Sequence, residues 1–304
     1  MNMTRFYSHG KLLLSGEYLI LDGAVGLALP TIPGQDLVVE EDDSGLIRWQ
    51  SVDEKDRTWF AADFGLEDFE LSMKTGENEV GLLLQKILRT ARRMNSRFLM
   101  ASEGCSVRTA LEFPRDWGLG SSSTLINNIA KWADRNPFKL LDLSFGGSGY
   151  DIACANSEKP LFFRLEEGQP KALVVDFDPP FKDNLHFVHL NQKQSSRESI
   201  AVYEELQDFS DQTLDHISAI GKELARCQVQ SDFDMLLKEH ERIIGKVLRQ
   251  QPVQDVLFPD FSGQVKSLGA WGGDFILASS AENPRAYFKE KGFSTVIPFR
   301  ELIL

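Results

Sequence analysis

Short apolar runs, separated by polar and glycine-containing segments, occupy the first part of the chain. Apolar residues at 12–14 and 18–21 flank Ser15 and Gly16, and this pattern predicts a strand, a kink and a second strand. Further strands are predicted at residues 37–40, 47–49, 58–61 and 69–73. Strands in close succession with turn residues between them indicate an antiparallel region.

The hydrophobic period then changes from that of a strand to that of a helix. Over residues 81–94, leucine, isoleucine and alanine recur at helical spacing beside lysine and arginine, which predicts an amphipathic helix with a solvated basic face. Residues 106–113 alternate between apolar and polar again and predict a strand. Residues 124–133 predict a short helix.

The second half of the chain mixes strand and helix patterns in the same way. The predicted elements are strands at 160–164, 172–177 and 185–190, long helices around 214–224 and 231–248, and a strand, glycine-rich loop, strand, helix and strand over 265–304. This order predicts a mixed α+β protein of two domains. We place the domains at residues 1–180 and 181–304.

The charge and the hydropathy of the chain bear on its partners and its cellular location. The formal net charge is −12 and the isoelectric point is near 5.0, so we predict neither a nucleic acid nor an anionic membrane as a partner. No segment approaches the roughly 20 apolar residues that span a bilayer, and the N-terminus lacks a signal-peptide core, so we expect a cytoplasmic protein. Three separate cysteines, Cys105, Cys154 and Cys227, are expected to be reduced.

A glycine- and serine-rich segment at residues 118–123 lies between a predicted strand and a predicted helix. A helix start offers unpaired N–H groups and a positive dipole end, and Gly118 and Gly120 let the backbone approach phosphate oxygens closely. The order of residues is not that of a Walker A loop, so a lysine must come from elsewhere. By itself, the segment fits a serine-capped flexible turn equally well.

Two more glycine-rich segments lie further along the chain. Residues 146–151 end at Asp151, before a run of small residues, and an aspartate in that position is often only a helix cap. Residues 267–274 lie between a predicted strand and an apolar run, and they also fit a turn with a bulge.

Together, the order and spacing of these segments resemble the GHMP kinase family, which includes mevalonate, phosphomevalonate, homoserine and galactose kinases. Residues 9–18 resemble the first motif of the family, and residues 114–123 resemble its phosphate loop. Residues 147–151 resemble its catalytic aspartate segment, and residues 266–274 resemble its third motif. The resemblance covers nearly the whole chain. It implies ATP and Mg²⁺ as cofactors, an N-terminal domain with a left-handed βαβ unit, and a ferredoxin-like C-terminal domain.

The resemblance also implies roles for individual residues. Asp151 would orient or deprotonate the acceptor hydroxyl, and Lys11 would polarise that hydroxyl and lower the pKa of the aspartate. The residues that would contact the ATP phosphates are Gly118, Leu119, Gly120, Ser121, Ser122 and Ser123, and the Ser122 hydroxyl would also bind magnesium. The residues that would contact the acceptor are Glu17, Tyr18, Gly269, Gly272 and Gly273.

Two features depart from the family pattern. The stretch from Ser122 to Asp151 is short and has no clear counterpart of the magnesium-binding glutamate of mevalonate kinases. Asp142 lies in this stretch, where it is either a substitute or an ordinary helix-end aspartate. Trp271 stands where glycine is usual, which predicts a differently shaped loop, and a widened or flattened pocket, if that position requires a positive φ.

The details of the motifs favour a phosphorylated acceptor. Residues 16–18, 147–151 and 272–274 resemble phosphomevalonate kinase more than mevalonate kinase. Lys193, Ser196 and Arg197 precede or begin a predicted helix, and they form either an anion site or a capped helix start with solvated charges.

We therefore predict a kinase for a small-molecule hydroxyl acceptor, phosphomevalonate or mevalonate, that is a monomer or a homodimer. The alternatives are mevalonate kinase, diphosphomevalonate decarboxylase, and a catalytically inactive nucleotide-binding regulator. The presence of both Lys11 and Asp151 argues against the inactive regulator, because a binding module needs neither.

Overall fold

A computed structural model describes residues 3–67, 70–75, 78–99, 104–192, 196–206, 209–269, 271 and 273–304. The strands are β1 (Met3–Ser15), β2 (Gly26–Asp42), β3 (Leu46–Val52), β4 (Thr58–Glu67), β5 (Glu70–Met73), β6 (Gly104–Leu111), β7 (Leu161–Glu166), β8 (Gln169–Val174), β9 (Leu185–His189), β10 (Gln264–Ser267), β11 (Phe275–Ser279) and β12 (Val296–Pro298). The helices are α1 (Glu79–Met94), α2 (Ser121–Trp132), α3 (Pro137–Ser144), α4 (Tyr150–Ala155), α5 (Ser196–Leu206), α6 (Asp211–Arg226), α7 (Gln230–Leu248), α8 (Val253–Leu257), α9 (Arg285–Glu290) and α10 (Phe299–Leu302).

The chain packs into two compact units that interleave along the sequence. Unit 1 comprises Met1–Gly10, Pro33–Arg115 and Gly120–Asn156, and unit 2 comprises Lys11–Ile32, Asp116–Leu119 and Ser157–Leu304. Strands β1 and β2 each contribute residues to both units. The division of the chain near residue 180 stays a prediction.

Unit 1 is a mixed sheet with helices packed on it. Its strand order is β5-β4-β3-β6-β2, and every pair is antiparallel except β3 with β6. Parallel neighbours need a crossover connection, which here runs through β4, β5 and α1. Buried side chains of the sheet and of α1, α2 and α3 form one core, which includes Trp49, Phe64, Leu88 and Ile129.

Helix α1 shows why the helical pattern predicted the structure well. Leu84, Ile87, Leu88 and Ala91 are buried along one face, as their spacing requires. The Asn78 side chain accepts a hydrogen bond of 2.9 Å from the N–H of Gly81, which caps the first turn.

Unit 2 contains an antiparallel four-stranded sheet of order β10-β11-β9-β12. Along the chain, β9 is followed by helices, then β10, β11, α9 and β12, which is the βαββαβ order of a ferredoxin-like domain. The core on this sheet includes Val188, Phe258, Val265, Ile276 and Phe288. The predicted α+β class and the predicted ferredoxin-like domain are therefore confirmed. The hairpin β7–β8 also belongs to unit 2 and pairs with residues 26–28 of β2.

The strand predicted at residues 18–21 is wrong, because the chain forms a 3₁₀ turn at Leu19–Asp22. Gly16 (φ 89°) and Tyr18 (φ 62°) are both left-handed, so the backbone reverses before an extended run can form. A side chain at position 16 would bring its Cβ within 2.8 Å of the Cα of Gly26. The apolar run is buried, as expected, but in a tight turn.

Among the described residues, no helix has the length and hydropathy that a membrane span requires.

Candidate functional site

The predicted phosphate loop leads from β6 into the N-terminus of α2. Gly118 (φ 65°) and Gly120 (φ 90°) are left-handed, and Gly120 is the N-cap residue of α2. Ser122 is exposed in the first turn, while the Ser123 hydroxyl is buried and donates a hydrogen bond of 2.8 Å to the carbonyl of Gly120. The first turn of α2 has no acidic residue. An anion would therefore meet a positive helix end without a competing carboxylate in that turn.

Residues 116–119 of this loop pack within unit 2. The backbone N–H of Lys11 donates a hydrogen bond of 3.0 Å to the carbonyl of Leu119, which is fully buried. The Trp117 ring packs edge-on against Phe275 and lies tilted near His189. These contacts fix the loop beside the strand that bears Lys11.

The Asp274 carboxylate lies directly against Gly118. A Cβ built on Gly118 would be 2.4 Å from Cγ of Asp274, so only glycine fits at position 118 with Asp274 in this place. Asp274 is buried and left-handed (φ 53°), and its carbonyl accepts the N–H of Leu190 at 2.8 Å. The sequence places Asp274 in the third motif, but no pattern in it predicts the contact with Gly118.

A network of neutral side chains in unit 1 holds α2. We call it the buried amide network, and its members are Ser8, Gln35, Thr124, Asn127, Asn128 and Asn156. Asn128 donates a hydrogen bond of 2.8 Å to the carbonyl of Gln35 and accepts one of 2.6 Å from the Ser8 hydroxyl. Asn127 and Asn156 exchange a reciprocal pair of amide hydrogen bonds. The helix that follows the phosphate loop is therefore fixed by directional contacts as well as by apolar packing.

Asp151 occupies the first turn of α4 in unit 1. The N-cap residue of this helix is Gly149 (φ 87°), and the Asp151 carboxylate accepts a hydrogen bond of 3.0 Å from the N–H of Ile152. Asp151 is only half-buried. Lys11, also half-buried, belongs to the part of β1 in unit 2. The pairing of Lys11 with Asp151 stays a prediction.

The third glycine-rich loop follows β10. Gly269 has a positive φ of 66°. The prediction that Trp271 gives this loop a different shape, with a widened or flattened pocket, stays a prediction. The Trp271 ring is 4% exposed and packs on α7, where a Cβ on Gly245 would lie 3.4 Å from the ring. The backbone N–H of Trp271 donates a hydrogen bond of 3.3 Å to the Tyr18 hydroxyl.

Four buried ionisable residues of unit 2 lie between the first motif and this third loop. We call Glu17, His240, Glu241 and Lys266 the buried ionic cluster. The Lys266 amine pairs with the Glu17 carboxylate and donates a hydrogen bond of 2.8 Å to the carbonyl of Ser267. Glu241 accepts the N–H of Ser267 at 3.0 Å, and Nε2 of His240 accepts the N–H of Gly16 at 3.1 Å.

Burial shifts the pKa values in this cluster. Desolvation raises the pKa of Glu17, although Lys266 acts in the opposite direction. Desolvation also raises the pKa of Glu241 to about 7. Burial and the neighbouring Lys266 lower the pKa of His240 well below its ordinary value.

The predicted acceptor residues fall into three groups. Glu17 and Tyr18 are buried, with Glu17 paired to Lys266, and their contact with an acceptor stays a prediction. Gly269 and Gly273 border Trp271 in the third loop. Lys193 and Gly272 lie outside the described residues, as do the side chains of Ser196 and Arg197 at the start of α5.

A magnesium ion at the phosphate loop would have few protein ligands. No group of three His, Cys, Asp or Glu residues suited to a metal occurs within the described part of the chain. Magnesium in phosphotransferases is held mainly by substrate phosphates and water, with one or two protein oxygens. The exposed Ser122 hydroxyl at the start of α2 fits that donor set. Asp142 is exposed on α3.

Unit 1 has a concave region that is separate from the predicted site residues. It is lined on the solvent face of the sheet by residues such as Arg48, Gln50, Ser106 and Arg108, and it includes none of the predicted site residues. We place the candidate site at the loops, because they carry left-handed glycines and a helix N-terminus, whereas both arginines already pair with aspartates.

Comparisons with known proteins bear on the fold. No protein family model matches the sequence, and no curated protein sequence matches it. Solved structures do match. The mevalonate kinase of Methanococcus jannaschii is 14% identical with a TM-score of 0.70, over 96% of this chain and 95% of that one.

Two further matches belong to other kinases. The phosphomevalonate kinase of Streptococcus pneumoniae, in complex with phosphomevalonate and AMPPNP, is 15% identical with a TM-score of 0.69, over 96% of this chain and 98% of that one. The Lactococcus lactis galactokinase, complexed with galactose, is 13% identical with a TM-score of 0.66, over 95% and 88%. These neighbours are GHMP-family kinases, and the chain has their two-domain fold.

Sequence analysis missed His240, Glu241 and Lys266. His240 and Glu241 belong to the regular amphipathic helix α7, where charged residues are usually solvated. Strand β10 reads Gln-Val-Lys-Ser, and a lysine among polar residues gives no sign that it will be fully buried.

Proposed function

We propose that the chain is an ATP-dependent small-molecule kinase of the GHMP type. The observation that carries this proposal is the pair of left-handed glycines, Gly118 and Gly120, directly before the N-terminus of α2. The exposed N-terminus of a helix is a site for phosphate groups, and the glycines allow close backbone approach. The AMPPNP bound to a neighbour of the same fold supports ATP as the phosphate donor.

In the proposed mechanism, residues 118–123 bind the phosphates of ATP, and Ser122 contributes one oxygen to Mg²⁺. The metal, when bound, neutralises charge on the transferred phosphoryl group. Asp151 accepts the proton of the acceptor hydroxyl, and the Lys11 amine stabilises the oxygen as it gains charge. Phosphoryl transfer depends mainly on positioning and charge neutralisation, so these groups suffice.

The first test is the variant Asp151→Asn. The amide keeps the shape of the side chain but removes the base, so we expect kcat to fall by at least about 100-fold with little change in the KM for ATP. Steady-state ATP consumption with the accepted substrate measures both constants. Asp134→Asn, whose side chain is fully exposed just after α2, is the matched control and should keep wild-type turnover. Turnover of Asp151→Asn within a few-fold of wild type would contradict the assignment.

For the acceptor, we propose 5-phosphomevalonate. Tyr18, the segment at residues 147–151 and Asp274 carry the resemblance to phosphomevalonate kinases, and Lys193 and Arg197 are the proposed phosphate contacts. Neighbours of both kinds have similar TM-scores, 0.69 for the phosphomevalonate kinase and 0.70 for the mevalonate kinase. The motif residues therefore carry this choice, and the fold does not.

The second test compares acceptors with and without a phosphate. A charge-assisted hydrogen bond to phosphate is worth about 1.5–3 kcal/mol, so Arg197→Ala should lower kcat/KM for 5-phosphomevalonate by about 10–100-fold. Its KM for ATP should hardly change. Arg226→Ala, an exposed arginine in the last turn of α6, is the control and should behave as wild type.

The same assay distinguishes the alternatives. Faster turnover of mevalonate than of 5-phosphomevalonate would favour a mevalonate kinase. Release of carbon dioxide from diphosphomevalonate would favour the decarboxylase. Nucleotide binding without turnover of mevalonate, 5-phosphomevalonate, homoserine or simple sugars would favour the inactive regulator.

A further inference from the structure

The buried ionic cluster is isolated from solvent to an unusual degree. The exposed fractions are 0% for Lys266 and His240 and 1% for Glu17 and Glu241. Lysine and glutamate are almost never fully buried unless they are paired, because desolvation of a charge is costly. An apolar core would hold the same elements together without this cost. The cluster therefore calls for a role that apolar packing does not supply.

The contacts of the cluster are directional and reach two separate segments. His240 and Glu241 are neighbours on α7, and both accept backbone N–H groups: His240 from Gly16, and Glu241 from Ser267. Lys266 joins the same two segments through its pair with Glu17 and its bond to the carbonyl of Ser267. The cluster thus fixes the backbone at the end of the first motif and at the start of the third loop.

The third loop continues from this point to the phosphate loop within unit 2. Residue 271 donates its N–H to the Tyr18 hydroxyl, and the loop ends at Asp274, whose carboxylate lies against Gly118. Described residues of the loop therefore contact Glu241 at its start, Tyr18 in its middle and Gly118 at its end.

We propose that Glu241, with His240 and Lys266, positions the third loop against Gly16 and Tyr18, and so sets the affinity for the acceptor without touching it. This inference rests on the proposed kinase function. Glu241 is the central residue, because its carboxylate is the group from α7 that accepts the N–H of Ser267.

The charges of the cluster make its contacts depend on pH, which contacts between apolar side chains would not do. Glu241 faces Lys266 from β10 and Glu17 from the segment after β1, it adjoins His240 on its own helix, and it accepts N–H groups of Ser267 and of Val253. Burial and Lys266 lower the pKa of His240 well below its ordinary value, which keeps the ring neutral. One lysine therefore faces two carboxyl groups, and burial favours retention of a proton by Glu241.

The direction of the pH effect follows from linkage. The pKa of Glu241 is raised to about 7 when the cluster is closed and is near the ordinary 4.5 when it is open to water. Closure is therefore most favoured below about pH 4.5 and weakens as the pH rises to about 7, by up to roughly tenfold per pH unit. Above that pH the effect of Glu241 levels off.

The test uses the full chain as wild type, Glu241→Gln and Glu239→Gln. Amide exchange at Ser267, followed by NMR and corrected for the intrinsic exchange rate, should lose protection by about tenfold or more between pH 5 and 7 in the wild type. Glu241→Gln keeps an acceptor for the N–H but cannot ionise, so its protection should be nearly constant. Glu239→Gln, a half-buried residue of the same helix that lies outside the cluster, should follow the wild type.

Steady-state kinetics then distinguish a positioning role of Glu241 from a role in stability alone. Glu241→Ala should raise the KM for the acceptor by about 10-fold or more with a smaller change in kcat, and Glu241→Gln should restore the wild-type KM within about threefold. A purely structural role would lower the amount of active enzyme and leave the KM of the folded fraction unchanged. That result, or the same pH dependence of Ser267 protection in wild type and Glu241→Gln, would overturn the proposal.

Failure of the kinase proposal would look different. If no acceptor is phosphorylated but Ser267 protection depends on Glu241 as described, the cluster still positions the loop and only the proposed reaction is wrong.

Discussion

The buried amide network of unit 1 and the buried ionic cluster of unit 2 have the same task but different chemistry. The amide network fixes α2, which follows the phosphate loop, and the ionic cluster fixes the start of the third loop. Apart from Asn156, which is exposed, the members of both are buried. In the amide network, neutral side chains meet each other or backbone groups, whereas the ionic cluster combines a lysine, two carboxyl groups and an imidazole.

The difference between neutral and ionisable side chains determines which of the two regions responds to pH. Amides and hydroxyls do not titrate in the physiological range, so the position of α2 is independent of proton concentration. The ionic cluster changes its charge near neutrality, because burial raises the pKa of Glu241 to about 7. We therefore expect one part of the candidate site to be constant and the other to be pH-sensitive.

The largest expected effect comes from Lys266→Met. Removing the cation leaves the buried Glu17 carboxyl without its partner, which should lower the free energy of unfolding by about 3–5 kcal/mol. Denaturant unfolding at pH 7 measures the loss. Lys55→Met, a lysine that is 67% exposed and lies 3.7 Å from Glu54, is the control and should change the stability by about 1 kcal/mol or less.

A second variant sharpens this prediction. Lys266→Met combined with Glu17→Gln removes both charges, so it should be more stable than Lys266→Met alone. A double variant as unstable as the single one would show that lost packing, and not an unpaired charge, dominates.

The next effect is the pH dependence of stability in Glu241→Gln. The wild type should lose about 3 kcal/mol of unfolding free energy relative to the variant as the pH rises from about 4.5 to 7, because its folded state holds the Glu241 proton more tightly than its unfolded state does. Urea unfolding at intervals across this range measures the difference between the two proteins. A difference that stays constant with pH would mean that Glu241 does not titrate in this range.

The smallest effect is expected in the amide network. Asn128→Leu keeps the size of the side chain but leaves the Gln35 carbonyl and the Ser8 hydroxyl without their partner, which should cost about 1–3 kcal/mol. The same urea experiments should give a loss that does not vary between pH 5 and 8. A loss that changes with pH by more than about 1 kcal/mol would break the contrast between the two regions.

Local patterns predicted most of the regular structure. Helices α1, α2, α6 and α7 and the strands of the ferredoxin-like domain follow from hydrophobic period, because side chains on one face of an element must share one environment. The apolar run at residues 18–21 failed as a strand. Its burial was predictable, but the turn was not: Gly16 and Tyr18 both have positive φ, and Gly16 packs closely against Gly26.

The candidate site divides in the same way. The sequence by itself determined the glycine-rich loops, their order and the helix that follows residues 118–123, because the conformational freedom of glycine and the electrostatics of a helix N-terminus are local properties. Only the tertiary structure decided that Asp274 lies against Gly118 and that Lys266 pairs with Glu17, 249 residues earlier in the chain. Such contacts depend on which distant side chains are buried together, and a lysine in the sequence carries no record of the carboxylate that will compensate its charge.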